Sequence, residues 1–363
     1  LYLTGNEAIG LGAIAAGCRL MFAYPITPAS DIMEYLMKKL PNFGGAVIQT
    51  EDEIAACTMA IGANYEGVRA FTASSGPGLS LMMEAIGLAG MTETPLVIVN
   101  AQRGGPSTGL PTKQEQSDVF AMLYGNHGEI PKVVIAPSTV EEAFYDTVEA
   151  FNIAEEYQIP VILLTDLQLS LNKQTASPFQ LQKTEIRRGK IYQANDREGQ
   201  TLLRTYFKRY ERTRDGVSFR TFPGTKGGVH HVTGVEHDAT GKPVEAAENR
   251  KEQMEKRMTK LQSFSLRRPF IKRIQSDEPD LLLIGFNATR GAIEEAAKKL
   301  AEDGFAVNHL HIRLLSPFPQ RQLKPFFESA KKIIVIEHNA TGQLKKLINM
   351  HLGFFDRTVS ILK

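Results

Sequence analysis

Apolar residues in the first 170 positions fall into two alternating patterns. Short runs dense in aliphatic side chains (Gly45–Gln49, Val68–Ala73, Leu96–Asn100, Val133–Ala136 and Val161–Thr165) predict strands. Between them, Asp31–Leu40, Glu53–Tyr65, Leu79–Ala89 and Val140–Tyr157 repeat their apolar positions at helical spacing. Strands that are apolar almost throughout, each followed by a helix, imply a parallel sheet covered on both faces.

From residue 172 to residue 276 the period is lost. Arg187–Lys190, the basic run Lys208-Arg209-Tyr210-Glu211-Arg212 and Gly224–His231 follow no steady pattern. A helix around Ala246–Leu261 has many charges and few apolar anchors, so both it and the basic run are expected on solvated faces. A stretch this long reads as a connecting segment that wraps over a neighbouring domain or subunit. Alternation returns at Asp280, with strands predicted at Leu281–Gly285, Val307–Ile312 and Lys332–Glu337 and helices at Ala288–Leu300 and Gly342–Leu352. The expected fold is α/β: a doubly wound parallel sheet domain over 1–171, an extended connection over 172–276, and a smaller α/β domain over 277–363. No internal repeat or low-complexity tract stands out.

Composition narrows the classes. Lys and Arg exceed Asp and Glu by only two (42 against 40), so no global charge calls for nucleic acid. No apolar run approaches the ~18 residues of a membrane-spanning helix. The opening Leu-Tyr-Leu-Thr-Gly-Asn-Glu lacks the basic start and apolar centre of a secretory signal, and a reducing, cytoplasmic setting is expected. Because the chain starts at Leu1 and enters a strand-like run at once, a further domain upstream is also an open expectation. Cys18 and Cys57 are too few for an iron–sulfur cluster or a zinc site and read as buried free thiols, so any such cluster must sit on another chain.

In open α/β sheets ligands collect at the carboxyl ends of the strands. Four loops in that position are unusual. Tyr24-Pro25-Ile26-Thr27-Pro28-Ala29-Ser30-Asp31 is stiffened by two prolines; Ser30 reads as the N-cap of the next helix and Thr27 as a ligand group. Gln49-Thr50-Glu51-Asp52-Glu53 opens a helix with three acids, which the helix dipole alone would favour, so all three stay candidates for a functional carboxylate. Small residues Ala56, Cys57 and Ala60 follow Glu53 at helical spacing and leave room for a flat ligand. Ser74-Ser75-Gly76-Pro77-Gly78 permits close backbone approach at a helix N-terminus but lacks the lysine of a nucleotide P-loop. Arg103, ending an apolar strand before Gly104-Gly105-Pro106-Ser107-Thr108-Gly109, needs an anionic partner: a structural carboxylate or a substrate's. His127 lies on a loop that could approach a substrate, although an exposed loop histidine is the plainer reading. The pair His230-His231 has no third ligand at metal spacing and reads as a surface turn.

Taken in order, YPITPASD, QTEDEIAA, SSGPG and QRGGPSTGLP resemble the α subunit of the 2-oxoacid:ferredoxin oxidoreductases, the last segment most resembling the 2-oxoglutarate branch. TGVEHDATGKPVE, IRLLSPFP and VIEHNATGQL extend the likeness over most of the chain. The resemblance implies a pyrimidine-type thiamine-diphosphate-binding domain followed by a transketolase C-terminal-like α/β domain. It implies that Glu53 is the catalytic carboxylate, hydrogen-bonding the pyrimidine and favouring its imino form. It also implies that Pro25, Ile26, Ser75 and Gly76 join Glu53 in holding the cofactor, and that Thr27 and Arg103 contact the substrate carboxylate.

No Gly-Asp-Gly segment with a following metal-ligating Asn is present. The family pattern therefore assigns the diphosphate site, Mg2+ and a [4Fe-4S] cluster to a separate β subunit, and no metal ligand to this chain. Ferredoxin is the implied electron acceptor and coenzyme A the co-substrate. A γ-type domain is expected either fused upstream or carried separately. The implied reaction is oxidative decarboxylation of 2-oxoglutarate to succinyl-CoA. Alternatives are a branched-chain or broad-specificity enzyme of the same family, a stand-alone thiamine decarboxylase or transketolase-like transferase, and a non-catalytic scaffold subunit.

Overall fold

The computed structural model describes residues 1–193 and 206–362. The first domain runs β1 (Tyr2–Leu3), α1 (Gly5–Ala15), β2 (Leu20–Ala23), α2 (Ser30–Lys39), β3 (Ala46–Gln49), α3 (Glu53–Tyr65), β4 (Ala70–Ser74), α4 (Gly76–Met91) and β5 (Leu96–Gln102). It continues through α5 (Val119–Tyr124), β6 (Val133–Ile135), α6 (Val140–Tyr157), β7 (Pro160–Asp166), α7 (Leu167–Leu171) and β8 (Gln174–Thr175). After the connection come α8 (Ala247–Thr259), β9 (Phe270–Arg273), β10 (Leu281–Phe286), α9 (Arg290–Glu302), β11 (Val307–Ile312) and β12 (Leu314–Ser316). The chain closes with α10 (Gln320–Ser329), β13 (Lys332–Glu337), α11 (Gln343–Leu352) and β14 (Thr358–Leu362).

Two sheets carry the fold. The seven-stranded one has the order β12-β6-β7-β5-β4-β2-β3, parallel except where β12 joins β6 antiparallel. Its strands are apolar on both faces because helices cover both. Phe71, Val97 and Val99 pack with Ile9, Ile32 and Phe144 under α1, α2 and α6, while Ile98 packs with Ala56, Leu79 and Met82 under α3 and α4. The second sheet has the order β14-β13-β10-β11-β9, with β9 antiparallel. Since β9 pairs with β11, this sheet begins before residue 277. The domains are not independent: β12 completes the first sheet, and Leu282, Ile284, Phe286 and Leu347 share one core with Val119 and Met122.

The predicted strands and helices are present within a few residues, while α1 and β2, together with the short elements α5, α7, β8, β9, β12, α10 and β14, carry no earlier expectation. The sequence of α1, Gly-Asn-Glu-Ala-Ile-Gly-Leu-Gly-Ala-Ile-Ala, is too rich in glycine to read as a helix. It is held by a capping box, with the Thr4 hydroxyl accepting from Glu7 N–H at 3.1 Å and the Glu7 carboxylate accepting from Thr4 N–H at 2.9 Å. Its glycines let helices touch: a Cβ on Gly12 would lie 2.5 Å from the Phe144 carbonyl of α6. At α2 the cap is Ala29, not Ser30, which is the first helical residue.

The connecting segment departs from the expectation of a solvated face. In α8, Gln253, Lys256 and Arg257 are buried, as is Lys260 just beyond it. Lys256 and Lys260 each approach the Glu93 carboxylate at 2.6 Å, and Arg209 donates to the Glu93 carbonyl at 2.7 Å. Arg209 and Tyr210, from the middle of the basic run, are buried, while Lys208, Glu211 and Arg212 stay exposed. A second buried acid, Glu155, receives Arg69 of the first domain together with Arg188 and Arg220 of the segment. A charged helix can lie inward when the surface beneath it offers carboxylates, which hydropathy patterning does not register.

Candidate functional site

In the order β5-β4-β2-β3 the strands are parallel neighbours, so the loops that follow them emerge along one edge. That edge collects Pro25, Ile26 and Thr27 after β2, Glu53 after β3, Ser75 and Gly76 after β4, and Arg103 after β5. Of the three acids before α3, Glu51 and Asp52 are exposed and Asp52 caps the helix, its carboxylate accepting from Ala55 N–H at 2.8 Å. Glu53 alone turns inward, at 7 % exposure.

Glu53 reaches the first turn of α4. A Cβ on Gly78 would fall 2.1 Å from Ser74 Oγ and 2.6 Å from Glu53 Oε1, so only glycine leaves room for both oxygens. Alternation along β4 and β5 aims Thr72, Ser74 and Asn100 at the α3–α4 face, with Ser74 opposite Asn100 in the ladder. Thr72 Oγ1, Ser74 Oγ, Ser75 Oγ and Asn100 Oδ1 are all buried without a hydrogen-bond partner. Buried polar atoms are normally satisfied, and these exceptions on adjoining strand ends call for partners beyond the chain's own groups, such as water or a ligand.

Arg103 is 6 % exposed and donates to two carbonyls, Thr27 O at 2.6 Å and Thr108 O at 2.9 Å. The structure thus joins the two residues expected at a substrate carboxylate, although through the Thr27 main chain; the Thr27 side chain is exposed. Among the described residues no carboxylate pairs with the guanidinium, and Nε has no partner. Burial lowers the Arg103 pKa from its ordinary value, with Asp118 acting in the opposite sense. Pro25 and Ile26 are half-buried, Ile26 against the core beneath α1 and α2.

Sequence reading missed Asp118. Its carboxylate accepts from Asn100 Nδ2 at 3.1 Å, its N–H donates to Gln102 at 3.1 Å, and burial raises its pKa above the ordinary value. It lies in the polar loop Gln114-Glu115-Gln116-Ser117-Asp118, where nothing in spacing separates it from its neighbours. The second domain holds this loop in place: Gln116 N–H donates to the His338 carbonyl at 2.6 Å, and Gln343 Nε2 donates to the Ser117 carbonyl at 2.6 Å.

His127 is exposed on the turn leading into the N-terminal end of β6, away from this edge. His230 packs among Tyr65, Phe207 and Tyr210, and His231 against Tyr206, so neither is a free surface turn. Among the described residues no group of three or more His, Cys, Asp or Glu could hold a metal ion. Both cysteines are buried, with burial pushing their thiols up to about 12. No helix among the described residues is long and apolar enough to cross a membrane.

The family model described as pyruvate flavodoxin/ferredoxin oxidoreductase, thiamine diphosphate-binding, matches residues 11–256, and that of pyruvate:ferredoxin oxidoreductase core domain II matches 279–359. The chain belongs to this oxidoreductase family. It is 40 % identical to 2-oxoacid:ferredoxin oxidoreductase 1, subunit alpha, of Sulfurisphaera tokodaii over all of this chain and 58 % of that protein. It is 37 % identical to the 2-oxoglutarate synthase subunit KorA of Methanothermobacter marburgensis, covering 94 % of this chain and 88 % of the relative. Among solved structures, a 2-oxoglutarate:ferredoxin oxidoreductase from Magnetococcus marinus, with 2-oxoglutarate, coenzyme A and succinyl-CoA bound, superposes with a TM-score of 0.92 at 37 % identity. That match covers all of this chain and 62 % of the other. The chain therefore spans a little under two thirds of that structure and of the Sulfurisphaera subunit.

Proposed function

We propose that this chain is the pyrimidine-binding α portion of a CoA-dependent 2-oxoacid:ferredoxin oxidoreductase. The reaction is oxidative decarboxylation of 2-oxoglutarate to succinyl-CoA and carbon dioxide, with the electrons passed to ferredoxin. One observation carries the reading: a buried carboxylate, Glu53, seated in a glycine cradle beside unsatisfied buried oxygens, in a chain matching along its full length a structure with 2-oxoglutarate and succinyl-CoA bound.

The cradle suits thiamine diphosphate. Gly76 and Gly78 make room at the first turn of α4 for the side chains of Asp118, Ser74 and Glu53, Ser75 and Ser74 add hydroxyls, and Pro25 and Ile26 supply an apolar edge. When bound, the cofactor supplies a nucleophilic carbon that attacks the oxoacid carbonyl and holds the electrons released by decarboxylation. Glu53 hydrogen-bonds the pyrimidine and sets its proton distribution. Arg103, charged and held by carbonyls alone, takes the substrate carboxylate, with Thr27 beside it; such bidentate pairing orients as well as binds. The family pattern assigns the diphosphate, its Mg2+ and a [4Fe-4S] cluster to a β subunit, and the α-subunit names of the relatives support a partner chain. Two buried thiols suit a reducing, cytoplasmic setting.

A broader 2-oxoacid range is the second reading, favoured by the Sulfurisphaera relative, whose name specifies no single oxoacid. The test of the site is Glu53→Gln in the assembled complex. Turnover should be lost while assembly persists, and retained turnover would remove Glu53 from the reaction.

A further inference from the structure

Arg103 is the first residue of the loop that joins β5 to α5. The tip of this loop closes on itself. Gly104 N–H donates to the Lys113 carbonyl at 3.0 Å, and Leu110 N–H donates to the Gly104 carbonyl at 2.7 Å. The closure is tight: a Cβ on Gly109 would fall 2.0 Å from the Gly104 oxygen. The Arg103 guanidinium is bound to this tip through the Thr108 carbonyl, 2.9 Å away. Tip and guanidinium therefore form one unit. Residues 105–110 are all exposed, so packing does little to place that unit.

The loop is fixed where it descends towards α5. Gln116 is fully buried, and all its polar groups are engaged. Its N–H donates to the His338 carbonyl at 2.6 Å, and its carbonyl accepts from Asn339 Nδ2 at 3.2 Å. Its Oε1 accepts from His338 N–H at 3.1 Å, while Nε2 donates to Asp166 Oδ2 at 2.8 Å and to the Phe286 carbonyl at 3.2 Å. His338 and Asn339 lie in the turn between β13 and α11, and Phe286 ends β10, so these partners belong to the second domain. That turn is itself held: Asn339 Nδ2 also donates to Glu337 at 2.6 Å, and Asn339 Oδ1 accepts from Gly342 N–H at 2.8 Å. A buried and fully satisfied amide network fixes one arrangement. The second domain thus grips the stem of the loop whose tip holds Arg103.

We propose that Gln116 is a positioning residue for the substrate carboxylate: it holds the 104–113 tip, and with it the Arg103 guanidinium, at a place set by the second domain. The inference rests on the reading of Arg103 as the cation that takes that carboxylate. Disturbing the Gln116 amide leaves every reacting group in the site but moves the guanidinium off its line, and small misplacements of an orienting group are costly.

The test uses the assembled complex, with ferredoxin reduction followed over a range of 2-oxoglutarate concentrations. Gln116→Glu keeps the size of the side chain and one acceptor oxygen, but sets its other oxygen against Asp166 and the Phe286 carbonyl. It should raise the 2-oxoglutarate KM about tenfold and lower kcat less than threefold, with the coenzyme A KM and the thiamine diphosphate Kd within twofold of wild type. Gln343→Ala, which frees the Ser117 carbonyl from the second domain, should raise the same KM by less, and it serves if Gln116→Glu fails to assemble. The deciding readout is a double-mutant cycle with Arg103→Ala. A residue that acts through Arg103 adds nothing, within twofold, to the KM of Arg103→Ala, whereas a purely structural role multiplies it. An unchanged KM in the single variants that assemble, or a multiplicative cycle, overturns the proposal. An unchanged KM in Arg103→Ala itself strikes the reading beneath it, and the two failures are told apart.

Discussion

Gly78 and Glu53 are fitted to each other: a single methyl group on Gly78 would fall 2.6 Å from the Glu53 Oε1 and 2.8 Å from its Cγ. Gly78 is helical, so alanine there meets no backbone penalty, and its effect is confined to pushing Glu53 and Ser74 away. Gly78→Ala should cost about 1–3 kcal/mol of local strain and lower kcat/KM roughly tenfold or more, with the melting temperature reduced only slightly. Steady-state kinetics alongside a thermal melt checks this. Unchanged kinetics would mean that the position of Glu53 is immaterial.

Arg103 predicts a different signature. Its guanidinium is held by the carbonyls of Thr27 and Thr108, so removing it leaves no buried charge unpaired. Arg103→Ala should therefore preserve the fold and raise the KM for the oxoacid. A charge-assisted contact is worth about 1.5–3 kcal/mol, which is roughly ten- to a hundredfold. Arg103→Lys should recover only part, because a point charge cannot replace two parallel hydrogen bonds. Oxoacid saturation curves for both variants decide it.

Hydrophobic periodicity locates the strand ends, and with them the loops that hold Arg103 and the three acids before α3, because strands buried on both faces and amphipathic helices leave clear patterns; the choice of Glu53 among those acids comes from the family resemblance. Periodicity does not reveal α1, whose glycines serve helix contact, or the inward side of α8, whose burial depends on Glu93 far away in sequence. Asp118 was invisible for a similar reason. Its placement comes from contact with Gly76, 42 residues earlier, and from Asn100 on a strand in between. Loop acids acquire meaning only when the fold brings their partners to them.

The buried Glu93 cluster predicts a stability effect away from the site. Glu93→Gln leaves Lys256 and Lys260 facing each other without a counter-charge in a fully buried space. Breaking a buried pair by removing one partner costs about 3–5 kcal/mol. The variant should unfold at markedly lower denaturant concentration, whereas Glu255→Gln, at the exposed pair with Arg212, should change little. Equal midpoints for the two variants would contradict the assigned role of the cluster.

The same cluster sets a pH dependence. Burial alone would raise the Glu93 carboxyl, but Lys256, Lys260 and Arg209 together hold it well below the usual carboxylate range. A depressed folded-state value means that the unfolded chain binds the proton more readily at acid pH. The stabilisation is complete above the ordinary carboxylate value of about 4 and is lost as pH falls further, towards the folded-state value. Denaturation midpoints from pH 7 to pH 3 should fall steeply for the wild type and less steeply for Glu93→Gln; parallel curves would exclude Glu93 as a source of the acid sensitivity.

The most direct measurement of the proposed function is optical. The chain is purified anaerobically with the subunits that accompany it, and its visible spectrum is recorded before and after 2-oxoglutarate and coenzyme A are added. The proposed function predicts an iron–sulfur band in the complex that bleaches with 2-oxoglutarate and not with pyruvate. Bleaching by pyruvate or a branched-chain oxoacid instead would contradict the substrate. A cluster-containing complex that no 2-oxoacid bleaches would contradict the function itself.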